Sequence, residues 1–227
     1  ALRQRKKLMT KNGTKLHIRA AGITDIGCVR ERNEDAFLGD VENGLFIVAD
    51  GVGGHARGDV ASRMVVKLLP QIIKRRTCEM PIPGAGDDPA IPEVLAESLS
   101  ELSQRIHAAG KDTIEYKDMG ATAVVALLTC QHAHITHMGD SRAYLFRDGE
   151  LRQLTEDHSI VSLLLHHGEL TSQEAEKHPA KGRLTRYVGM EAEVDPDAQT
   201  IELKPGDRLL LCTDGLWGMV PHKQLCG

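Results

Sequence analysis

Three short apolar runs in this chain each break off at an aspartate. Phe46-Ile47-Val48-Ala49 ends at Asp50-Gly51, Ile135-Thr136-His137-Met138-Gly139 at Asp140-Ser141-Arg142, and Leu209-Leu210-Leu211-Cys212-Thr213 at Asp214-Gly215. A carboxylate at the end of a buried strand is costly unless water, hydrogen bonds or a cation compensate it. Glycine beside it permits a sharp turn and a close backbone approach. Taken singly, each such Asp is an ordinary turn residue. Three converging at one sheet end would repel one another unless a cation lay between them, and hard oxygen ligands favour Mg²⁺ or Mn²⁺ over zinc. The acidic pair Glu34-Asp35 and the Gly139-Asp140-Ser141-Arg142 sequence weigh toward a metal centre. The glycines at Gly51–Gly54 do not suit a phosphate-cradling loop, because no Lys-Ser/Thr follows them and the G-x-G-x-x-G spacing is absent.

The rest of the chain supplies strands in hairpin-like groups. LHIRAAG alternates, FIVAD is a short buried run, and ATAVVALLT is a longer β-rich one. HAHITHMG, RAYLFR and LRQL follow, the last two joined by an Arg147-Asp148-Gly149-Glu150 turn. The spacing predicts that QTIEL and RLLLCTD pair across the Lys204-Pro205-Gly206-Asp207 turn. Two amphipathic helices lie between the strand groups. One carries Ala61, Met64, Val65, Leu68, Leu69, Ile72 and Ile73, with Pro70 expected to bend it or cost a hydrogen bond. The other carries Leu95, Leu99, Leu102, Ile106 and Ala109 and ends near Gly110, after a Pro- and Gly-rich break at Glu79–Pro92. Strands grouped by tight turns around consecutive helices indicate a layered α+β fold rather than a doubly wound parallel sheet. Between Thr155 and Arg186 a small helical insertion is expected, with a short stripe at Val161, Leu164 and Leu165 and a capping box at Thr171 or Ser172 with Glu174.

The length of 227 residues suits one domain with a sizeable core. A net charge of -4 argues against nucleic-acid binding across the whole domain, and aromatic residues at 3% leave no stacking platform for bases. No apolar run is long enough to span a membrane, and the basic N-terminus lacks the apolar stretch of a secretory signal. Five scattered cysteines without a C-x-x-C pair fit reduced thiols, so a cytoplasmic location is expected. The basic segment 1–15 reads as a solvated, frayed terminus.

Seven stretches occur in order: Gly27–Phe37 (GCVRERNEDAF), Ala49–Ser62 (ADGVGGHARGDVAS), Gly120–Leu128 (GATAVVALL), Met138–Leu151 (MGDSRAYLFRDGEL), Leu154–Ser159 (LTEDHS), Leu184–Gly189 (LTRYVG) and Leu209–Val220 (LLLCTDGLWGMV). Together the series resembles the successive motifs of the bacterial metal-dependent serine/threonine protein phosphatases of the type 2C (PPM) family, from about Ile18 to Val220. The resemblance implies an αββα four-layer sandwich, two antiparallel sheets flanked by helix pairs, over residues 16–227, with a helical flap at about 160–183. It implies hydrolysis of phosphoserine and phosphothreonine by attack of a hydroxide bridging two Mn²⁺ or Mg²⁺ ions, with a weaker third ion. Asp50 would bridge the two ions, the Gly51 carbonyl would bind one of them and Asp214 the other. Glu34 and Asp35 would hold metal-bound waters, and Asp140 with Asp214 would form the third site. Arg30 would clamp the substrate phosphate with a bidentate fork that Lys cannot match. Ser141 and Arg142 would hold the Asp140 turn, and His158 would pack or position the flap.

His55, five residues beyond Asp50, is a candidate general acid, with orientation or packing an equal alternative, because relatives with an acid histidine carry it directly after Asp-Gly, where this chain has Val52. The family's last ligand, an aspartate of an Asp-Asn motif on a final strand, has no counterpart here. The expectation is therefore a truncated closing strand and C-terminal helix, and Gly218 replaces a further acidic ligand of the third ion. The partners implied are phosphoproteins made by a cognate Ser/Thr kinase, acted on by a monomer. The competing readings are a metal-poor pseudophosphatase that binds phosphoproteins through Arg30 and the flap, and, more weakly, a different two-metal hydrolase such as a nuclease.

Overall fold

The computed structural model describes residues 2–9, 15–52, 57–79, 89–112, 116, 118–191, 193 and 195–225. Alternation along one strand sets the layers. Within β4 (Leu45–Val52), Leu45, Ile47 and Ala49 are buried among residues of two helices, while Phe46 and Val48 pack in a second cluster. The helices are α1 (Gly58–Glu79) and α2 (Ile91–Asp112), and they present Ala61, Val65, Leu69, Leu95, Leu99 and Ile106 to that first face. A period of two in the strand thus meets a period of 3.6 in the helices.

The larger sheet is antiparallel, with β4 between β3 (Asp35–Asp40) and β6 (Ala123–Leu128), followed by β7 (His132–Met138) and β10 (Asp197–Glu202); β5 (Gly120–Ala121) also pairs with β4. The smaller sheet has β8 (Arg142–Arg147) between β9 (Glu150–Gln153) and β11 (Arg208–Cys212). Val124, Ala126, Ala133 and Ile135 of the first sheet cluster with Ala143, Leu209 and Leu211 of the second, so the two sheets share an apolar interior. The β8–β9 hairpin turns at Asp148 and Gly149, both with positive φ (53° and 85°), as its two-residue loop requires.

Several expectations are corrected. QTIEL and RLLLCTD do not pair: β10 joins β7 and β11 joins β8, in different sheets. The Lys204–Asp207 turn does form, with Asp207 N–H donating to the Lys204 carbonyl at 3.1 Å. It is a corner between sheets, pinned by Arg147, which forks onto Asp207 at 2.8 and 2.6 Å and donates to the Glu202 carbonyl. Local turn chemistry is indifferent to which sheet each arm enters. The segment expected to fray contains β1 (Leu2–Met9), paired antiparallel with β2 (Lys15–Gly22). Two other readings stand: α1 continues through Pro70, whose missing N–H removes one helical hydrogen bond, and α2 ends at Asp112, near Gly110. After β11 the described residues contain only the four-residue α5 (Asp214–Trp217) and α6 (His222–Leu225).

The insertion forms α3 (Ile160–His166) and α4 (Ser172–Lys177). Thr171 caps α4 with a complete capping box to Glu174, and Ser159 caps α3. Its two ends are drawn together by a Ser159–Leu184 bridge and by the Ile160 N–H donating to the Arg183 carbonyl at 3.0 Å.

Candidate metal centre

Asp35 and Asp50 face each other across the β3–β4 ladder as register partners. Like charges directly opposite on neighbouring strands repel, so this pairing needs an external reason. Asp214, the first residue of α5, and Asp140, in the turn after β7, add their charges to the same place. Burial, then the charges of Asp35, Asp214 and Asp140, push the Asp50 carboxyl up to about 8. Burial and Asp214 push Asp140 up to about 6. Burial also raises Asp35, whose Oδ2 accepts a 3.0 Å hydrogen bond from the Thr213 hydroxyl. Glu34 lies at the rim: its charge reaches Asp35, and its backbone carbonyl accepts from the Gly51 N–H at 3.1 Å.

The backbone around these groups is tightly braced. Thr122 Oγ1 accepts from the Asp50 N–H at 3.0 Å and meets Ser141 Oγ at 2.7 Å, joining the Asp50 strand to the Asp140 turn. Thr122 N–H donates to the Asp50 carbonyl at 2.8 Å. Gly139, with φ of 101°, makes the turn before Asp140, and a Cβ there would meet Thr122 Cγ2 at 2.6 Å. The sequence therefore places Asp50 within a strand rather than at its end, and Asp140 and Asp214 just beyond theirs.

Asp35, Asp50, Asp140 and Asp214 are thus brought together, with Glu34 beside them. Arg30 is near but outside: its side chain is 77% exposed and its Nη1 lies 3.9 Å from Glu34 Oε2. His55 lies outside the described residues. Thr122, Thr213 and Trp217, which support the carboxylates, escape a reading that looks for charged groups, although Trp217 is the single tryptophan in the sequence and follows Asp214 by three positions. These carboxylates, with Asp35, Asp50 and Asp140 raised in proton affinity, gather without a matching set of basic side chains among the described residues and are a hard-oxygen donor set short of positive charge. That fits Mg²⁺ or Mn²⁺.

A second cluster does not fit a cation. His137 and His158 stack with ring centroids 4.4 Å apart, and Asp197 lies close enough for one ligand atom from each of the three to fall within 4.8 Å. Gly139 N–H donates to His158 Nδ1 at 3.3 Å, so the His158 proton sits on Nε2, facing Asp197 Oδ2 at 3.2 Å. Arg186 already holds Asp197 at 2.6 Å. A metal would have to displace both the proton and the guanidinium. The pair is a structural brace at the root of the 160–183 segment, as the sequence suggested for His158.

Burial, then His137, pushes His158 down to about 4, and burial also lowers His137. The unfolded chain takes up these protons near pH 6.5. Stability contributed by the neutral pair is therefore complete above that pH and is lost as pH falls toward 4, by up to about 1.4 kcal/mol per pH unit for each histidine. Urea midpoints measured from pH 7.5 to 5 should decline steeply in the native protein and less steeply in His158→Gln. Equal slopes would contradict the brace.

Residues 29–226 match the family model described as Protein phosphatase 2C. The serine/threonine phosphatase stp of Listeria welshimeri is 38% identical over 205 residues, covering 89% of this chain and 79% of the relative. Among solved structures, the Mycobacterium tuberculosis serine/threonine phosphatase PstP/Ppp superposes with a TM-score of 0.74 at 34% identity, covering 88% of this chain and 80% of that one. The catalytic domain of the serine threonine protein phosphatase PstP in complex with two manganese ions superposes with a TM-score of 0.70 at 31% identity, covering 88% and 79%. Convergent carboxylates on paired antiparallel sheets, a family model spanning most of the chain and relatives of this closeness lead to one conclusion: the chain belongs to the protein phosphatase 2C family and is a metal-dependent serine/threonine protein phosphatase.

Proposed function

We propose that Asp50, with the Gly51 carbonyl, Asp214, Glu34 and Asp35, holds two Mn²⁺ or Mg²⁺ ions, and that Asp140 with Asp214 holds a weaker third. The observation that carries this reading is the convergence of Asp35, Asp140 and Asp214 on Asp50, whose proton affinity burial and then their charges raise to about 8. Such ions, when bound, supply positive charge to a phosphoryl group and make water nucleophilic at neutral pH. Asp50 orients the site from a strand braced by Thr122, and Asp35 is fixed by the Thr213 hydroxyl. Arg30, exposed at the rim, is free to swing from Glu34 to a phosphate and fork onto two of its oxygens. No covalent nucleophile is needed.

The substrates in this reading are proteins phosphorylated by a Ser/Thr kinase, in the cytoplasm, with the chain acting as a monomer. Free Cys28, Cys130 and Cys212 support a reducing compartment. Among the described residues no helix is long and apolar enough to cross a membrane. The test is steady-state hydrolysis of a phosphothreonine peptide across a Mn²⁺ titration, comparing the native protein with Arg30→Lys. The native protein should be inactive in chelator and saturate with Mn²⁺. Arg30→Lys should raise KM about tenfold, the scale of a lost charge-assisted hydrogen bond, while leaving the Mn²⁺ dependence in place. An unchanged KM would remove Arg30 from phosphate binding.

A further inference from the structure

Trp217 closes the short helix that Asp214 opens, so both sit on one turn of α5. That helix has an unusual start: its N-cap residue Thr213 makes no side-chain cap bond and instead gives its hydroxyl proton to Asp35. Something else must fix the turn that carries Asp214. The indole N–H of Trp217 donates to the Asp140 backbone carbonyl at 2.9 Å. Arg142 lies over its ring, with the guanidinium carbon 3.5 Å from the ring centroid. Arg142 cannot slide, because it forks onto both Asp157 oxygens at 2.7 Å and donates to the Tyr144 hydroxyl at 3.0 Å.

Asp157 in turn lies in the irregular stretch that leads into the 160–183 segment, two residues before the Ser159–Leu184 bridge. The next residue, His158, donates its N–H to the Gly139 carbonyl at 3.0 Å and accepts from the Gly139 N–H through Nδ1. Asp140 is therefore held on every side: Gly139 before it by His158, its own carbonyl by Trp217, and Ser141 after it by Thr122. Trp217 is only half-buried, so its contribution is not that of a core anchor. Its polar edge faces one carboxylate-bearing turn while its backbone belongs to the other.

We propose that Trp217 is a positioning residue that sets the distance between Asp140 and Asp214, with its indole N–H as the tether and the Arg142–Asp157 pair as the platform beneath its ring. This rests on the reading of Asp140 and Asp214 as cation ligands. It adds that the cation affinity at these two residues is governed by a side chain that touches no cation, and that the root of the 160–183 segment is mechanically joined to that site through Asp157.

The test uses Trp217→Phe, which keeps a ring over Arg142 and deletes the N–H, together with Trp217→Ala and Asp140→Ala. Mn²⁺ binding to the metal-free proteins is followed by the electron paramagnetic resonance signal of unbound Mn²⁺, with thermal unfolding and phosphopeptide kinetics alongside. Trp217→Phe should weaken the least tightly held Mn²⁺ about five- to tenfold, the scale of one hydrogen bond. Its phosphopeptide KM should stay near the native value, and its metal-free Tm should fall by no more than about 2–4 °C. Trp217→Ala should weaken that ion further and also lower Tm, since the platform loses its cover. Native Mn²⁺ affinity in Trp217→Phe, with weakened binding in Asp140→Ala, would overturn the positioning role and leave the metal centre standing. A Tm loss in Trp217→Phe without a change in Mn²⁺ affinity would likewise overturn it. Native Mn²⁺ binding in Asp140→Ala would remove the assignment of Asp140 on which the inference rests.

Discussion

Asp50→Asn should lose about a thousandfold in Mn²⁺-dependent turnover of a phosphopeptide, equivalent to about 4 kcal/mol of barrier. The substitution keeps size and hydrogen-bonding outline but removes the charge on which Asp35, Asp140 and Asp214 converge. In the metal-free protein the same change should act in the opposite direction. Burial and like charges raise the folded-state proton affinity of Asp50 to about 8 from an ordinary 3.8. A carboxyl with a raised folded-state value favours the fold when protonated. Its contribution is present below about pH 4 and is lost as pH rises toward 8. At pH 8 without metal, Asp50→Asn should therefore melt at or above the native temperature, and added Mn²⁺ should raise the native Tm far more than the variant's. Activity and thermal unfolding with and without chelator measure both effects. A variant that is inactive merely because it is unfolded would show a lowered Tm instead.

The second large effect is expected at Gly51. Its N–H binds the Glu34 carbonyl and its partner across β5 is Ala121, so the strand cannot rotate at this point. A Cβ on Gly51 would stand 2.6 Å from the Cα of Gly58, the first residue of α1. The obstacle is backbone, not the end of a side chain, and α1 is anchored by fully buried Ala61, Val65 and Leu69. Strand and helix must separate, in a place where overpacking costs about 1–3 kcal/mol or more. Gly51→Ala should lower Tm by about 5–10 °C in a domain of this size. It should also lose most activity at temperatures where it remains folded, because the displaced backbone carries Asp50. Gly58→Ala is the graded comparison: its Cβ would meet Gly51 at 2.9 Å and Glu34 Oε1 at 3.1 Å, so a smaller loss is expected. Native Tm and turnover in Gly51→Ala would show that the close approach is not required.

Much of this architecture is readable from local pattern. The alternation in Leu45–Ala49, the stripes on α1 and α2 and the turn at Asp148-Gly149 are short-range signals that tertiary structure preserves. The carboxylate cluster is legible because gathering several like charges at one sheet end has few physical explanations. The failures are of another kind. The Lys204–Asp207 turn forms as expected, yet its arms enter different sheets, and only the partners at β7 and β8 decide that. Strand β3 is short and bounded by aspartates at Asp35 and Asp40, and its strand character comes from pairing with β4. The β1–β2 pairing likewise depends on a partner strand rather than on composition. Trp217 was invisible for a related reason: its role depends on Arg142 and Asp140, 75 and 77 positions earlier in the chain, meeting it in space.

The most direct measurement is anomalous diffraction at the manganese edge from crystals of this protein grown with Mn²⁺. Two strong peaks are expected within bonding distance of Asp50, one of them shared with Asp214, and a weaker peak between Asp140 and Asp214. An absence of manganese at Asp50, or manganese only between His137, His158 and Asp197, would contradict it.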